Sequence, residues 1–390
     1  MKENRMCVVT TTSITIKSFL LQQLIFLSQN GYDITIVCNY DEELIAFLPK
    51  NIKYNPITMK RGVDGLGALN SLDLLYKLFK KERFDIVQYS TPNAALYASI
   101  ASWLTRTPVR LYCQWGIRYV GFTGWRRRVF KAIEKIVCSL STYIEPDSYG
   151  NLQFSKSEKL YTSNKSNVIW NGSANGVDLN RFDFTSKQKW SDEIRQKYKI
   201  SNDDLVFGFI GRLNKDKGIN ELLSAFKYIS QHNVNVKLMM IGPEENAGVH
   251  QDLFEWSQQS ETVIYCGFTN EVEKYYSALD VFILPSYREG FGSVVIEAEA
   301  MGIPVIVTDI PGPTDAMLRG ETGLVVPKGE VDPLIEAMKT MLNPTLRHEM
   351  GEKAIVFVRE KFDQRVLWKH ILEDRNRLVM KERARKEGVV

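Results

Sequence analysis

Two glutamates that bracket a glycine-rich turn have the types and spacing for carbohydrate-phosphate chemistry. Glu289 stands before Gly290 and Gly292, and Glu297 lies on the helix predicted to follow. Glycines let a ligand approach the main chain, and a helix N-terminus attracts phosphate. The pattern is typical of a nucleotide-sugar site. The same pattern also occurs as an ordinary connection between a strand and a helix in α/β folds. There, acidic residues near the helix start only interact favourably with the helix dipole.

Two cations follow another predicted strand, at residues 205–210. Arg212 and Lys217 flank a tight turn that leads into a helix. A diphosphate suits this pair, because arginine offers a bidentate fork and lysine a compact charge. Cations after a strand are also commonly solvated surface residues. The glycine turn at Glu289 is expected after a neighbouring strand of the same sheet, and its presence there favours the diphosphate interpretation.

Short apolar runs alternate with helically spaced segments along the chain, which predicts parallel sheets with helices on both faces. Residues 11–15 are expected to form a polar loop, and the turn-rich residues 171–182 a linker. Strands are predicted at 6–11, 34–38, 52–57, 85–89, 109–114, within 137–148, and at 205–210, 236–241, 263–265, 281–284 and 305–307. Helices are predicted at 19–27, 69–79, 94–104, 125–137, 192–198, 221–229, 253–258, 294–301 and 364–381.

This alternation predicts an α/β fold of two doubly wound domains that face each other across a cleft, with ligands at the carboxyl ends of the strands. The expected domains are residues 1–185 and 186–362. Residues 363–390 are expected to form a helix that packs back across both domains. This helix is expected to be too charged for a complete core element, since its residues are rich in Lys, Arg, Asp and Glu.

The charge is unevenly distributed. The chain of 390 residues carries a net charge of +4, but residues 1–185 hold 23 Lys and Arg against 15 Asp and Glu, a net +8, which leaves −4 for the rest. A basic half suggests an anionic partner such as a membrane surface or nucleic acid. With no long apolar run and no secretory segment, a cytoplasmic location is expected.

Cofactor and metal sites are not expected. The five cysteines stand in mostly apolar contexts without metal spacing, which indicates reduced, buried thiols. The first βα loop lacks the glycines of a dinucleotide fingerprint, which argues against a nicotinamide enzyme.

A basic amphipathic helix is predicted at residues 125–137. Arg126, Arg127, Arg128 and Lys131 lie among apolar residues there. One interpretation is a surface helix with one core face, and the other is contact with anionic lipid headgroups at the cytoplasmic face of a membrane. Nucleic acid is disfavoured, because the chain shows neither a recognised binding motif nor a stacking platform.

Motifs in both halves together resemble the family 4 glycosyltransferases, which have the GT-B fold of two Rossmann-like domains. In the first half the motifs are Ser90-Thr-Pro92, Glu145-Pro-Asp-Ser148 and Asn175-Gly-Val-Asp178. In the second half they are Gly211-Arg-Leu with Lys217-Gly, Gly242-Pro, Gly267-Phe, Pro285-Ser, Glu289-Gly-Phe-Gly with Glu297-Ala, Gly302-Ile-Pro-Val and Gly323-Leu-Val-Val-Pro. Each motif is weak alone, but their order and spacing are specific.

The resemblance implies a role for each donor-side residue. Arg212 and Lys217 would hold the donor diphosphate, Glu297 the nucleotide ribose, and Glu289 the transferred sugar. The amides of Phe291 and Gly292, beside Gly290, would complete the phosphate cradle after Gly211, and the main chain at Gly267 and Phe268 would meet the base. No metal would be required, and the anomeric configuration would be retained.

One departure from the family concerns the first domain. Family members often carry a His-Gly where this chain has Trp115-Gly116, and all four histidines lie in the second half. Trp115 would stack on a sugar or pack in the core, and Arg118 would supply charge. Thr12 and Ser13 are the other predicted acceptor-side residues.

The resemblance implies transfer of a hexose or N-acetylhexosamine from a UDP-sugar to a polyprenyl-diphosphate-linked oligosaccharide of a bacterial capsule or O-antigen. Two other interpretations remain open. One is a nucleotide-sugar epimerase with the same fold, which needs no acceptor. The other is a non-catalytic scaffold, motivated by the missing histidine.

Overall fold

The chain folds into two compact units, each built around its own parallel sheet. A computed structural model describes residues 3–60, 65–245 and 247–388. The first unit consists of Met1–Asn175 with Arg365–Val390, and the second of Gly176–Gln364.

Twelve strands form within the described residues, and all their pairings within the two sheets are parallel. Those at 109–114, 205–210, 236–241 and 281–284 match the predicted bounds, because apolar runs closed by a polar residue, glycine or proline leave little ambiguity. The strands are β1 Asn4–Val9, β2 Tyr32–Val37, β3 Ile52–Tyr54, β4 Ile86–Tyr89, β5 Val109–Gln114, β6 Tyr143–Pro146, β7 Leu205–Ile210, β8 Val236–Ile241, β9 Val263–Gly267, β10 Val281–Leu284, β11 Val305–Thr308 and β12 Gly323–Val326.

The helices connect successive strands. In the first unit they are α1 Ser13–Thr15, α2 Leu21–Gln29, α3 Glu42–Phe47, α4 Gly65–Glu82, α5 Pro92–Leu104, α6 Gly124–Leu140, α7 Tyr149–Ser157 and, from the end of the chain, α15 Gln364–Lys386. In the second unit they are α8 Lys187–Lys197, α9 Ile219–His232, α10 Gln251–Gln259, α11 Val272–Ser277, α12 Ser293–Ala300, α13 Val331–Thr340 and α14 Pro344–Lys361. None of the described helices is both long and apolar enough to cross a bilayer.

Both sheets have the same strand order. The first runs β3-β2-β1-β4-β5-β6, and the second runs β12-β11-β10-β7-β8-β9, which is the same order read from the other edge. This is the doubly wound Rossmann arrangement, in which all strands are parallel and the strand order along the sheet changes direction between the first and fourth strands. The predicted α/β fold class is therefore confirmed. The reversal points, between β1 and β4 and between β7 and β10, are where such sheets bind ligands.

The predicted polar loop at residues 11–15 is partly wrong. The chain turns helical at Ser13, and a π-helical segment, Ile16–Leu20, joins α1 to α2. Buried Ile16 and Leu20 on this segment add to the core that α2 packs against β1 and β2. Tertiary burial therefore overrides the weak helix propensity of the threonines and serine.

The C-terminal helix packs on the first unit more deeply than its charge suggested. Leu367, Ile371 and Leu378 of α15 are buried in the core that contains the inner residues of β1, β2 and β5. Arg375 lies on the same face and is 1% exposed. Its guanidinium contacts Glu145 Oε2 at 2.5 Å and Gln88 Oε1 at 3.1 Å, so strand β6 supplies the countercharge and β4 an amide acceptor.

The cysteines agree with the prediction of reduced thiols. Among the described residues all five are free, and four are buried.

Candidate active site

Two loops meet at the reversal point of the second sheet, one after β7 and one after β10. A Cβ on Gly218 would lie 2.0 Å from the carbonyl oxygen of Pro285, so this close approach requires glycine. The amide of Tyr287 donates to the Asp216 carbonyl at 2.9 Å, and Arg288 pairs with the Asp216 carboxylate at 2.6 Å. The two loops therefore form one structure.

Lys217 and Glu289, predicted from separate motifs, are in direct contact within this structure. The Lys217 ammonium lies 2.5 Å from Glu289 Oε1, and the side chains are only 19% and 12% exposed. Ser286 donates its hydroxyl to the same carboxylate oxygen at 2.7 Å. A cation and a carboxylate are thus held side by side at the carboxyl end of the sheet.

The loop after β10 then leads into α12. Gly292 has φ +83° and ψ +53°, a left-handed conformation that favours glycine. Among the described residues no side chain caps this helix end. Phe291 is 3% exposed and packs against Phe362, which fixes the main chain of the turn. The first turn of α12 has the electrostatic character that attracts a phosphate.

Arg212 is placed differently from Lys217. It is more exposed, and its guanidinium pairs with Glu245 at 3.2 Å in the loop after β8. Asn214 donates to the same carboxylate at 2.7 Å. The two predicted diphosphate ligands therefore share one loop but have different carboxylate partners. A diphosphate that binds Arg212 would have to compete with Glu245.

Glu297 lies on α12 and is only partly exposed. The Tyr276 hydroxyl donates to Glu297 Oε2 at 3.2 Å and is also within 3.0 Å of the Val294 carbonyl. Burial raises the pKa of Glu297 to about 7, although the Tyr276 hydrogen bond and the nearby Arg181 lower it. This carboxyl therefore changes charge near neutral pH.

The residues predicted to meet the base lie towards the β9 edge of the sheet. The Gly242 amide donates to the Gly267 carbonyl at 2.9 Å, and the Gly211 amide donates to Ile241 at 2.9 Å. Phe268 is 69% exposed. Because neighbouring strands lie about 4.8 Å apart, β9 is about 10 Å from β7, a separation that an extended nucleotide diphosphate can span.

In the first unit, the predicted acceptor-side Thr12 and Ser13 lie at the corresponding reversal point. Ser13 donates its hydroxyl to Asp41, and this hydrogen bond is the largest cause that lowers the Asp41 pKa to about 2. Lys17 pairs with the same carboxylate at 3.0 Å. The Thr11 amide donates to Thr91 Oγ1 at 3.0 Å, which ties the loops after β1 and β4 together.

Thr91 carries backbone strain at this position. Its φ is +65° and its ψ is +138°, a conformation that β-branched residues rarely adopt. Such strain often persists at functional sites. The Ser90-Thr-Pro92 motif marked this loop in the sequence, but backbone conformation has no signature in residue types.

Trp115 and Arg118 are in different surroundings. Trp115 is half-buried and packs against the core shared by β1, β2 and α15. Arg118 lies over the Phe130 ring at 4.8 Å. The buried residue before Trp115, Gln114, donates to Glu134 at 2.7 Å and accepts from Tyr161 at 3.0 Å.

A histidine does reach the first unit, although it comes from the end of the chain. His370 on α15 stacks on Trp170, with ring centroids 5.5 Å apart. All four histidines lie in the second half of the sequence. His370 nevertheless belongs to the first unit, because α15 packs there.

Sequence reasoning assigned no role to Ser286, although the Pro285-Ser motif contains it, and it missed Glu245, Tyr276 and Asp41. The role of each is recognisable only from what its side chain contacts. No group of three histidine, cysteine, aspartate or glutamate side chains in residues 3–60, 65–245 and 247–388 is arranged to hold a metal ion.

Two family models match the chain. The "Glycosyl transferases group 1" model covers residues 191–357, which include β7, β10 and the Lys217–Glu289 pair. The "Glycosyl transferase 4-like" model covers residues 7–148 of the first unit.

Curated relatives span almost the whole chain. The capsular polysaccharide biosynthesis glycosyltransferase CapM of Staphylococcus aureus is 32% identical over 374 residues, which is 95% of this chain and 96% of that protein. A UDP-Gal:alpha-D-GlcNAc-diphosphoundecaprenol alpha-1,3-galactosyltransferase of Escherichia coli is 25% identical and covers 82% of each chain.

Among solved structures, Anabaena Alr3699/HepE in complex with UDP matches with a TM-score of 0.74 and 18% identity, over 96% of this chain and 99% of that one. At this identity the match concerns the fold, which is GT-B. The family models, the full-length similarity to CapM and the two Rossmann-like units all indicate the same family of glycosyltransferases. The chain therefore belongs to the group 1 glycosyl transferases.

Proposed function

We propose that this glycosyltransferase moves a hexose or N-acetylhexosamine from a UDP-sugar to a lipid-linked oligosaccharide, with retention of anomeric configuration, in bacterial capsule or O-antigen synthesis. The contact between Lys217 and Glu289 at the reversal point of the second sheet carries the proposal. The functions of CapM and of the galactosyltransferase, and the UDP bound to the Anabaena protein, support the pathway and the donor.

The donor would lie along the carboxyl edge of the second sheet. Its diphosphate binds between Lys217, Arg212 and the first turn of α12, the ribose hydroxyls bind Glu297, and the base meets the main chain at Gly267 and Phe268. Glu289, held by Lys217 and Ser286, is next to the diphosphate position and faces the sugar.

Catalysis in this proposal is mainly stabilisation of the leaving group. The bond between the sugar anomeric carbon and the β-phosphate oxygen breaks, and its electron pair leaves with UDP. Lys217 and Arg212 stabilise the growing negative charge in a partly desolvated site. The acceptor hydroxyl attacks from the face that UDP leaves, and its proton passes to the departing phosphate. These cations supply positive charge without a metal ion, so activity is expected to persist in EDTA.

Binding of UDP is expected to strengthen as pH rises from 6 to 8. As a carboxylate, Glu297 accepts stronger hydrogen bonds from the ribose hydroxyls than it does as a neutral acid, and burial raises its pKa to about 7. Protonation below this pKa therefore weakens binding, by up to about tenfold at one pH unit below it. Calorimetric titration of UDP at several pH values measures the effect.

The matched control for this pH effect is Glu297→Gln, which keeps the shape of the side chain but has no carboxyl to titrate. The titration of UDP's own phosphate affects both proteins equally, so the difference between their pH profiles isolates Glu297. The same profile in both proteins would show that Glu297 does not control donor binding in this range.

Peripheral binding to an anionic membrane would use helix α6. Trp125, Val129 and Ile136 are 69%, 46% and 46% exposed and lie on one face at helical spacing. Arg126 and Arg128 are exposed beside them. The other two predicted cations, Arg127 and Lys131, pair with Glu158 at 3.4 and 2.6 Å, so part of their charge is already balanced. An apolar stripe with flanking cations suits the interface of an anionic bilayer.

Replacing Arg126 and Arg128 together with glutamine is expected to weaken binding to vesicles that contain anionic phosphatidylglycerol by about thirtyfold, since each basic residue near such a surface contributes about 1 kcal/mol. Vesicle flotation measures the change. Lys80→Gln with Lys81→Gln, on exposed positions of α4, is the matched control. Equal loss in both double variants would rule out α6 as the membrane-binding face.

The direct test of the function combines purified protein, a panel of nucleotide sugars and polyprenyl-diphosphate-linked acceptors. Release of UDP together with a lengthened acceptor is the expected result. A new sugar isomer formed without acceptor would identify an epimerase instead. Neither UDP nor product with any pair would contradict the proposal.

A further inference from the structure

A cavity in the second unit lies at the amino ends of the strands, opposite the carboxyl ends that carry the candidate donor site. It has a volume of about 930 Å³ and is bounded by α8, α14 and the residues that precede β7, β10 and β11. Asp280 lies in this cavity and directly precedes β10, whereas Pro285, which follows β10, belongs to the donor-side loop. The four residues of β10 lie between them, so the two are five residue steps, or about 16 Å, apart along the strand.

The partly buried interior of this cavity is rich in positive charge. Three cations, Lys187, Arg195 and Arg347, surround one carboxylate, Asp280. The exposed rim, with Asp192, His348, Glu352 and Arg359, carries both signs.

Asp280 is already engaged by one of these cations. Its Oδ2 accepts from Arg195 at 2.9 Å and from the Val206 amide at 2.7 Å. Arg195 also donates to the carbonyls of Ser201, Asp204 and Ala278, so its hydrogen bonds serve the fold. The ion pair with Asp280 and the contacts with backbone carbonyls therefore explain the position of Arg195. They do not explain the presence of Lys187 and Arg347 in the cavity.

Lys187 and Arg347 contact only backbone carbonyls as hydrogen-bond acceptors within residues 3–60, 65–245 and 247–388. The Lys187 ammonium is 3.4 Å from the Gly302 carbonyl, and Arg347 donates to the Met341 carbonyl at 2.7 Å. Burial lowers the pKa of Lys187 to about 8 and also lowers the pKa of Arg347, while Asp280 opposes both shifts. The Lys187 ammonium also lies over the Phe184 ring, 5.5 Å from its centroid. Neither this ring nor the Asp280 carboxylate, which Arg195 binds, forms a direct ion pair with Lys187 or Arg347, so a bound anion would stabilise both charges.

We propose that this cavity binds the phosphate group of a small anion through Lys187 and Arg347, separately from the donor site. Arginine offers a bidentate fork and lysine a point charge, the combination that phosphate recognition uses. The ring of Phe184 and the side chain of Ile355 form apolar wall nearby. The space is larger than free phosphate needs, so a phosphate monoester fits as well as the free ion.

Calorimetric titration of the full chain with inorganic phosphate and with glucose 6-phosphate, at constant ionic strength, tests the site. Binding is expected in the wild type and in Lys217→Met, which lacks the donor-side cation. Lys187→Met and Arg347→Gln are each expected to weaken it about tenfold or more, since one charge-assisted hydrogen bond is lost. Tighter binding of glucose 6-phosphate identifies an ester as the ligand, and equal or weaker binding identifies the free ion.

Lys189→Met, at an exposed position of the same helix, is the matched control and should bind like the wild type. Retained UDP affinity and an unchanged unfolding temperature show that the cavity variants are folded. Failure of both probes to bind the wild type would overturn the proposal. So would binding that Lys217→Met abolishes, or binding that Lys187→Met and Arg347→Gln leave unchanged.

Discussion

Replacing Lys217 with methionine is expected to lower kcat/KM for the preferred donor by about 10²- to 10³-fold. The ammonium is held at 2.5 Å from Glu289 in a largely buried position, where it would stabilise the departing diphosphate. Loss of one preorganised charge that acts on the developing negative charge typically has an effect of this size. Steady-state measurement of UDP release, with the wild type's best donor and acceptor, gives the value.

Lys215→Met is the matched control for this variant. Lys215 lies in the same short 3₁₀ helix, Lys215–Lys217, but its side chain is exposed and packs beside Gly248. It is expected to keep activity within about threefold of the wild type, as surface cations contribute little. Comparable losses in both variants would indicate that the loop's fold, rather than the Lys217 charge, had been disturbed.

Replacing Arg375 with methionine is expected to reduce the free energy of unfolding by about 3–5 kcal/mol. Arg375 is 1% exposed and compensates Glu145 and Asp374, whose side chains are 13% and 10% exposed. Removal of the cation leaves the Glu145 carboxylate buried without this partner and Asp374 with the exposed Arg377, which is costly. Urea denaturation followed by fluorescence and by circular dichroism measures the loss.

The charge-pair explanation of Arg375 is checked by two further variants. Arg377→Met removes an exposed partner of Asp374 on the same helix and should cost less than about 1 kcal/mol. Arg375→Met with Glu145→Met removes both charges and should recover part of the stability, because no buried Glu145 carboxylate remains without its partner. A double variant that is less stable than Arg375→Met would contradict the charge explanation and favour lost packing.

Sequence pattern was sufficient for most of the sheet scaffold. Strands such as Leu205–Ile210 and Val281–Leu284 are buried on both faces, so they are continuous apolar runs with clear ends. The alternation of such runs with helices predicts the doubly wound topology, and this topology places the β7 and β10 loops next to each other. The proximity of the Lys217 and Glu289 motifs was therefore predictable.

Several helices were not predictable from periodicity. Helix α14, Pro344–Lys361, was not anticipated because its buried face consists largely of Met350, Gly351, Ala354 and Val358. Small residues give a weak apolar signal although they allow close helix packing. Gly351 lies against the Gly302 carbonyl, where an added Cβ would be 2.6 Å away. The bounds of α15 were blurred in a similar way, since a buried arginine interrupts its apolar face.

The side chains that contact the site residues could not be predicted from the sequence either. Glu245 pairs with Arg212, Ser286 binds Glu289, and Tyr276 binds Glu297. Each contact joins residues whose distance apart depends on strand register and loop conformation. The pKa of about 7 for Glu297 likewise follows from burial, which residue type alone does not reveal.

Calorimetric titration of UDP into the wild type and into Lys217→Met tests the central claim most directly, namely that the loops after β7 and β10 form the donor site. One UDP is expected to bind each wild-type chain, and Lys217→Met should weaken that binding by about tenfold or more, since a charge-assisted contact to the diphosphate is lost. Absence of UDP binding to the wild type, or equal affinity in the two proteins, would contradict the claim.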